Sequence, residues 1–280
     1  MNPNGNADVS VIIPCYRCVE TVERALRSVV HQSMAPAEII LVDDASDDDG
    51  ATLSCLQKLC DTYGKMSGVA IQLIALKENI GPAGARNLAW DSATADYIAF
   101  LDADDAWHPK KIEIQYKWMK KHPEADLSGH HCTQIDTQLS STAIISQWSV
   151  QACVFRSILF RNPLVTRSVM MRRDISLRFS TDKRYAEDYL LWLQAVSSGL
   201  KAFVLEVVLA YSFKPDYGAG GLSGDLWSME RGVQDNFCRL YRDGAIGPVE
   251  YFAASMFSLL KFLKRVTVVS SRRVISSMSS

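Results

Sequence analysis

Asp102-Ala103-Asp104 stands at the end of the apolar run Tyr97-Ile98-Ala99-Phe100-Leu101, and Asp105 follows at once. Carboxylates crowded at the end of a buried strand repel one another unless a divalent ion or a basic side chain neutralises them. The spacing therefore points to cation binding, although Asp-rich loops after strands are common enough that the tripeptide alone is a weak signal. Other apolar runs end in groups of compatible chemistry. Val9 to Ile13 leads into Pro14-Cys15-Tyr16, Glu38 to Val42 into Asp43-Asp44-Ala45-Ser46, and Val69 to Ala75 into a loop with Asn79-Ile80-Gly81-Pro82, backed by Arg86 and Asn87. In open α/β sheets ligands sit beyond the carboxyl ends of the strands. An aromatic plane, an acceptor, a basic group and a cation site gathered there suit a nucleoside diphosphate.

Each group has a plainer alternative. Asp43 and Asp44 suit the cap of a following helix, Tyr16 a half-buried core aromatic, and Arg86 an ion pair with a neighbouring carboxylate. Their shared location beyond strand ends favours the chemical readings.

The elements that must position these residues alternate strand and helix. Helical patterns at Val19 to Val30, Leu53 to Tyr63 and Gly81 to Trp90 separate the strands Val9 to Ile13, Glu38 to Val42, Val69 to Ala75 and Tyr97 to Leu101, the βαβ rhythm of a mostly parallel sheet. Pro109 opens a helix to Lys121 with proline in its first turn. Beyond about Asp126 the pattern loosens: a strand near Val169 to Arg172, a helix from Asp188 to Ser197, a strand from Lys201 to Ala210, a Gly-rich break at Tyr217 to Gly224, then helices over Asp225 to Arg242 and Pro248 to Val269. This divides the chain into a flexible tail (1–8), an α/β domain (9–215, in two halves of about 9–125 and about 126–215) and a C-terminal helical extension (216–280).

A chain of 280 residues, 48% hydrophobic, holds a full core. Lys+Arg 30 against Asp+Glu 31 leaves a formal charge of -1, without the basic field that draws proteins to nucleic acid. The start lacks the basic and apolar regions of a signal peptide, no apolar stretch reaches the roughly 18 to 20 residues that span a bilayer, and the seven cysteines are scattered. A reducing cytoplasm is the expected location.

The ordered blocks Val9-Ser10-Val11-Ile12-Ile13-Pro14-Cys15-Tyr16, Ile40-Leu41-Val42-Asp43-Asp44-Ala45-Ser46, Asn79-Ile80-Gly81-Pro82-Ala83-Gly84-Ala85-Arg86-Asn87 and Phe100-Leu101-Asp102-Ala103-Asp104-Asp105 resemble the family 2 glycosyltransferases of the GT-A fold. The resemblance covers roughly the first 125 residues and resumes at Ala186-Glu187-Asp188-Tyr189-Leu190-Leu191-Trp192. It implies a Rossmann-like sheet flanked by helices and inverting transfer of one sugar from a nucleotide-diphosphate sugar, a UDP-sugar first, to a hydroxyl of a glycan or lipid-linked acceptor in envelope polysaccharide assembly. It further implies that 9–215 is the catalytic domain with its nucleotide-sugar half first and its acceptor half second, that Pro14 and Tyr16 line the nucleobase site, that Asp44 accepts the base N–H, that Gly81 and Arg86 approach the nucleotide, that Asp102 and Ala103 lie by the ribose, that Asp104 ligates Mn²⁺ or Mg²⁺, and that Asp188 is the base. The plainer reading of Glu187-Asp188 is an acidic first helical turn favoured by the macrodipole. Arg17 departs from the asparagine many relatives carry after the tyrosine. The Gln-x-x-Arg-Trp signature of processive synthases is absent, which favours one transfer per encounter.

Rival readings leave residues idle. Cys15-Tyr16-Arg17-Cys18 has the place of a thioredoxin-like pair, yet that reading gives Asp44, Asp102 and Asp188 no role. His130-His131-Cys132 lacks a second ligand pair for zinc and reads as a strand end near the acceptor cleft. A sugar nucleotidyltransferase would carry a basic Gly-rich loop after its first strand, whereas a non-catalytic nucleotide-sugar module would not need both Asp104 and Asp188. In the C-terminal helix Phe252, Met256, Leu260 and Leu263 share one face, with Lys261, Lys264, Arg265 and Arg272 toward another. A membrane surface at the inner face and packing against the catalytic domain or a second subunit are the alternatives for it.

Overall fold

The computed structural model describes residues 5–135, 145, 147–214 and 224–278, with side chains described through residue 269. Its first half runs β1 (Ala7–Cys15), α1 (Val22–Val30), β2 (Pro36–Asp43), α2 (Ala51–Ser67), β3 (Ala70–Ala75), α3 (Gly81–Ser92) and β4 (Tyr97–Phe100). β1 is buried along nearly its whole length, as a strand covered on both faces should be. Side chains alternate across it: Val9, Val11 and Ile13 pack with Leu26 and Val29 of α1 in one core layer. Ile12 meets Ile40, Phe100 and Trp90 in the layer on the opposite face. Each such fully buried aliphatic side chain stabilises the fold by about 1.5–3 kcal/mol. In α1 the buried positions Val22, Ala25, Leu26 and Val29 fall on one helical stripe.

The second half contributes β5 (Asp105–Trp107), α4 (Lys111–Lys121), β6 (Leu127–Gln134), β7 (Val150–Ala152), α5 (Phe155–Phe160), a 3₁₀ turn (Thr166–Ser168), β8 (Met170–Arg172), α6 (Glu187–Ser197), β9 (Ala202–Ser212), α7 (Leu226–Arg242) and α8 (Pro248–Met278). The strands form one sheet in the order β3-β2-β1-β4-β8-β6-β9-β5, with β7 also paired to β9. β3, β2, β1 and β4 are mutually parallel, β8 runs antiparallel to β4 and β6, and β9 is parallel to β6 and antiparallel to β5. The chain winds outward from β1 to β3 and then returns to place β4 on the other side of β1. That reversal opens a crevice beyond the carboxyl ends of β1 and β4, where open α/β sheets bind ligands.

Three expectations change. α1 begins at Val22, because residues 18–21 form a turn closed by Thr21 N–H to Cys18 O. Pro109 precedes α4 instead of occupying its first turn: its carbonyl accepts from Ser33 N–H, and the Gln32 side chain accepts from Ile112 N–H. His130-His131-Cys132 lies within β6, not at a strand end, and does not line the main cleft. β6 was hard to read because Ser128-Gly129-His130-His131 carries little apolar signal, although pairing with β9 buries His130.

α7 and α8 pack on α5 and α6 through Phe237, Leu240, Ala254, Tyr189 and Leu193. Lys261 donates to Phe160 O and Arg265 to Glu230, so two of the basic residues of α8 fasten it to the protein. Val249, Phe252, Met256, Leu260 and Leu263 face outward. Among the described residues, no helix is long and apolar enough to cross a membrane. The tail at residues 1–4, most of the Gly-rich break (217–223) and the side chain of Arg272 lie outside the described residues.

Candidate active site

Parallel register sets the strand ends side by side. Cys15 pairs with Asp43 and Asp43 with Ala75. Phe100 pairs with Ile12, which brings Asp102, two residues on, beside Pro14. Around these ends lies a cleft of about 600 Å³ lined by all nine residues singled out from the sequence: Pro14, Tyr16, Asp44, Gly81, Arg86, Asp102, Ala103, Asp104 and Asp188. Two residues with a β-carbon that line it hold positive φ, Arg17 (45°) and Ala186 (55°), as does Ala45 (50°) directly after Asp44. Such backbone is costly and persists where surrounding contacts enforce it, commonly at functional sites.

Tyr16 is 42% exposed, so it is no core aromatic; its hydroxyl donates to Asp47, which also pairs with Arg17. Asp43 and Asp44 do not cap α2, which begins eight residues beyond Asp43. Asp43 accepts from Ser46, and Asp44 Oδ1 accepts from Ile80 N–H at 2.8 Å. Asn79 donates to Asp44 O, so two bonds tie the second strand end to the loop before α3. Burial raises the Asp44 pKa against the opposing N–H groups of Ile80 and Gly81. Gly81 holds φ +77°, which L side chains rarely adopt.

Arg86 lies at the bottom of the site, its side chain only 8% exposed. It donates to Asp102 Oδ1 at 2.8 Å and to Glu187 Oε1 at 3.1 Å, bridging a strand end and the start of α6. One guanidinium serving two carboxylates, buried Glu187 and part-buried Asp102, leaves them unequal. Burial alone would raise the Asp102 pKa, but Arg86 holds it below its usual value. Glu187 is pushed up to about 7 by burial and by neighbouring Asp188, with Arg86 only partly opposing. Asp188 is presented differently: Oδ2 accepts from Thr166 Oγ1 at 2.8 Å and Oδ1 from Tyr189 N–H at 2.7 Å, in the acidic first turn of α6. The acidic first turn expected of Glu187-Asp188 is present, and that turn also borders the cleft.

Asp104, one-third exposed, is a carboxylate that could hold a metal. Lys214 Nζ rests on it, while Asp105 is paired with Arg167. Among the described residues no cluster of three or more His, Cys, Asp or Glu is arranged around a common metal position. A hard ion that takes one or two carboxylates and completes its shell with phosphate oxygens and water fits this donor set; a closed protein cage does not. The thiols are unsuited to redox chemistry: Cys15 is buried, and its hydrogen bond with Cys18 together with burial raises its pKa well above the ordinary value, the reverse of an activated cysteine.

Thr166, Arg167, Arg184, Tyr185 and Lys214 also line the cleft and escaped the sequence reading. Only Arg184 had a local signal, as part of the basic pair Lys183-Arg184 just before the Ala186-Glu187-Asp188 block. This segment is fixed by α7. Asn236 donates to Ala186 O at 2.9 Å, Lys183 Nζ reaches Asp235 and Gly232 O, and a β-carbon on Gly232 would stand 2.5 Å from Tyr185 O.

Known proteins with this arrangement can now be set beside it. A UDP-Glc:alpha-D-GlcNAc-diphosphoundecaprenol beta-1,3-glucosyltransferase of Escherichia coli is 32% identical over 205 residues, covering 72% of this chain and 76% of that enzyme. A putative teichuronic acid biosynthesis glycosyltransferase of Bacillus subtilis is 31% identical, with 72% and 77% covered. Staphylococcus aureus TarS in complex with UDP-GlcNAc superposes with a TM-score of 0.66 at 18% identity, over 92% of this chain and 72% of that one. A mannosyltransferase of Pyrobaculum calidifontis in complex with GDP-Man and Mn²⁺ gives 0.68 at 19%, over 98% and 80%. These two likenesses establish the GT-A fold. The family profile described as glycosyl transferase family 2 matches residues 10–155, and with that match and these relatives the chain belongs to family 2 of the glycosyltransferases.

Proposed function

We propose that the chain moves one sugar from a UDP-sugar to a hydroxyl of a lipid-linked glycan, with inversion, a divalent cation at Asp104 and Asp188 as general base. The observation that carries this reading is the convergence of Tyr16, Asp44, Asp102, Asp104 and Asp188 on one cleft. The named substrates of the Escherichia coli relative support the donor and acceptor classes, and the Mn²⁺ in the mannosyltransferase complex supports the cation.

In this reading Pro14 and Tyr16 flank the base, Asp44 accepts its N–H, and Asp102 meets the ribose beside Ala103. Gly81 brings backbone close to the nucleotide at the start of α3. Arg86 acts through Asp102 and Glu187, which it holds, more than through the nucleotide. Asp104, with diphosphate oxygens and water, would hold Mn²⁺ or Mg²⁺, and such an ion supplies Lewis-acid stabilisation of the departing diphosphate. Asp188, oriented by Thr166, takes the proton of the attacking hydroxyl as the new bond forms. A single base opposite the leaving group gives inversion.

A lipid-linked acceptor also gives the outward face of α8 an occupant, the anionic membrane surface, with exposed Trp227 and Lys264 nearby. A second copy of the chain is the competing occupant. Sedimentation with anionic liposomes, comparing the full chain with one truncated after Ile246, separates them: binding unchanged by truncation removes α8 as the anchor.

The test of the reaction is release of UDP from UDP-sugars in the presence of a polyprenyl-diphosphate-linked sugar, with thermal shift by UDP, GDP and ADP measured alongside. Turnover lost in chelator and in Asp104→Asn is the expected result. Full turnover in chelator removes the cation, and equal stabilisation by the three nucleotides removes Asp44 as a base reader.

A further inference from the structure

Three carboxylates crowd the end of β4, and each has one cationic partner: Asp102 with Arg86, Asp105 with Arg167 and Asp104 with Lys214. The partners are not equivalent. The arginine side chains are 8% and 14% exposed, fixed forks in the protein interior, whereas Lys214 is 42% exposed and carries its charge on a flexible four-carbon stem.

The sheet dictates where Lys214 stands. β5 pairs antiparallel with β9 with Asp105 opposite Ser212, so the chain two residues past Ser212 lies alongside Ala103 and Asp104. Its backbone is anchored twice. Ser212 Oγ donates to Lys214 O at 2.9 Å, and the guanidinium of Arg24 covers the Phe213 ring at 3.7 Å while donating to Asp104 O at 2.7 Å. Arg24 thus links the Asp104 backbone to the Phe213 ring beside Lys214, and the ammonium is the part left able to move.

We infer that Lys214 is a placeholder cation: it neutralises Asp104 before the donor arrives, yields that carboxylate to the incoming divalent ion, and turns its ammonium onto the donor diphosphate. This rests on the donor and cation reading above. It makes Lys214 a positioning residue that couples the two ligands, since the ion must displace it and the diphosphate gains it. Removing the ammonium should therefore move the two affinities in opposite directions, which loss of a merely structural contact would not do.

The experiment measures Mn²⁺ binding to the nucleotide-free chain by electron paramagnetic resonance of free Mn²⁺, and UDP binding at saturating Mn²⁺ by calorimetry. Lys214→Met should bind Mn²⁺ alone about two- to fivefold tighter, the scale of a half-exposed ion pair removed as competitor. The same variant should bind UDP about tenfold more weakly through loss of a charge-assisted hydrogen bond. Lys214→Arg should keep UDP affinity near wild type. Both affinities unchanged, or both weakened, in Lys214→Met overturns the inference. A wild-type chain that binds Mn²⁺ but no UDP overturns the donor reading instead, and the Mn²⁺ arm still decides whether Lys214 competes at Asp104.

Discussion

In the proposed reading, donor-side and acceptor-side residues reach the same cleft by different routes. Tyr16, Asp44, Asp102 and Asp104 each lie within four residues of the end of their own strand, and parallel pairing of β1, β2 and β4 brings those ends into line. Asp188 has no strand behind it. It opens α6 after a stretch without regular strand or helix, and its place depends on partners far along the chain: Thr166 on its carboxylate, Arg86 on adjacent Glu187, and Asn236 of α7 on the Ala186 carbonyl. A site half of local and half of distant construction should fail in two ways, one confined to chemistry and one that spreads into the fold.

The largest separation should come from Asp188→Asn. The carboxamide keeps the acceptor geometry toward Thr166 but cannot take a proton. Transfer should fall about 10²- to 10⁴-fold, the usual worth of a general base, while UDP affinity measured by calorimetry stays at the wild-type level. Normal transfer by Asp188→Asn together with an inactive Glu187→Gln would move the base one residue back. Arg86→Met tests the joint between the two sides. It leaves buried Glu187 and part-buried Asp102 without their cation, and the loss in urea denaturation should be about 3 kcal/mol, the lower end for one partner removed from a buried pair, because Asp102 is partly solvated and Glu187 can take up a proton. A change below about 0.5 kcal/mol on the same scale would show that the two sides are held together elsewhere.

Glu187 sharpens the comparison through pH. Its ordinary value of 4.5 is pushed up to about 7 in the fold, so it binds its proton more tightly folded than unfolded. Its contribution to stability is therefore full below about pH 4.5 and is lost as pH rises through about 7. Glu187→Gln mimics the protonated side chain and removes that loss. From pH 5 to pH 8 the melting temperature of the wild type should fall a few degrees further than that of the variant. Parallel pH profiles would mean that Arg86 keeps Glu187 ionised throughout, and that Asp102 is not the favoured partner.

This division also explains what was readable in advance. Strand-end residues announce themselves, since an apolar run such as Tyr97 to Leu101 and the polar residues after it are contiguous in the chain. The four parallel strands, α1 to α3 and the donor-side residues follow from that contiguity. Thr166 and Lys214 carry no comparable signal. Thr166 belongs to a three-residue 3₁₀ turn, and Lys214 matters only because β5, itself three residues long, pairs with β9. The bond from Arg86 to Glu187 spans 101 positions, and nothing in the sequence near either residue requires it. The register that makes such contacts is set by packing of the whole sheet, which is why Asp188 was approached through family resemblance and not from its own neighbours.

The rim of the donor side should be the least sensitive part of the cleft, and Arg17 tests this. Its ion pair with Asp47 is among exposed groups, with side chains 54% and 62% accessible, a setting in which such pairs contribute little. Against that small gain, Arg17 holds φ at 45°, a conformation unfavourable for most residues with a β-carbon and better tolerated by asparagine. The two effects oppose each other at similar size. Arg17→Asn should therefore leave the urea-denaturation midpoint close to that of wild type and UDP affinity by calorimetry within about threefold. If UDP affinity instead falls by more than about tenfold, the Arg17 side chain is part of the nucleotide contact itself, and the donor side is less local than its strand ends suggest.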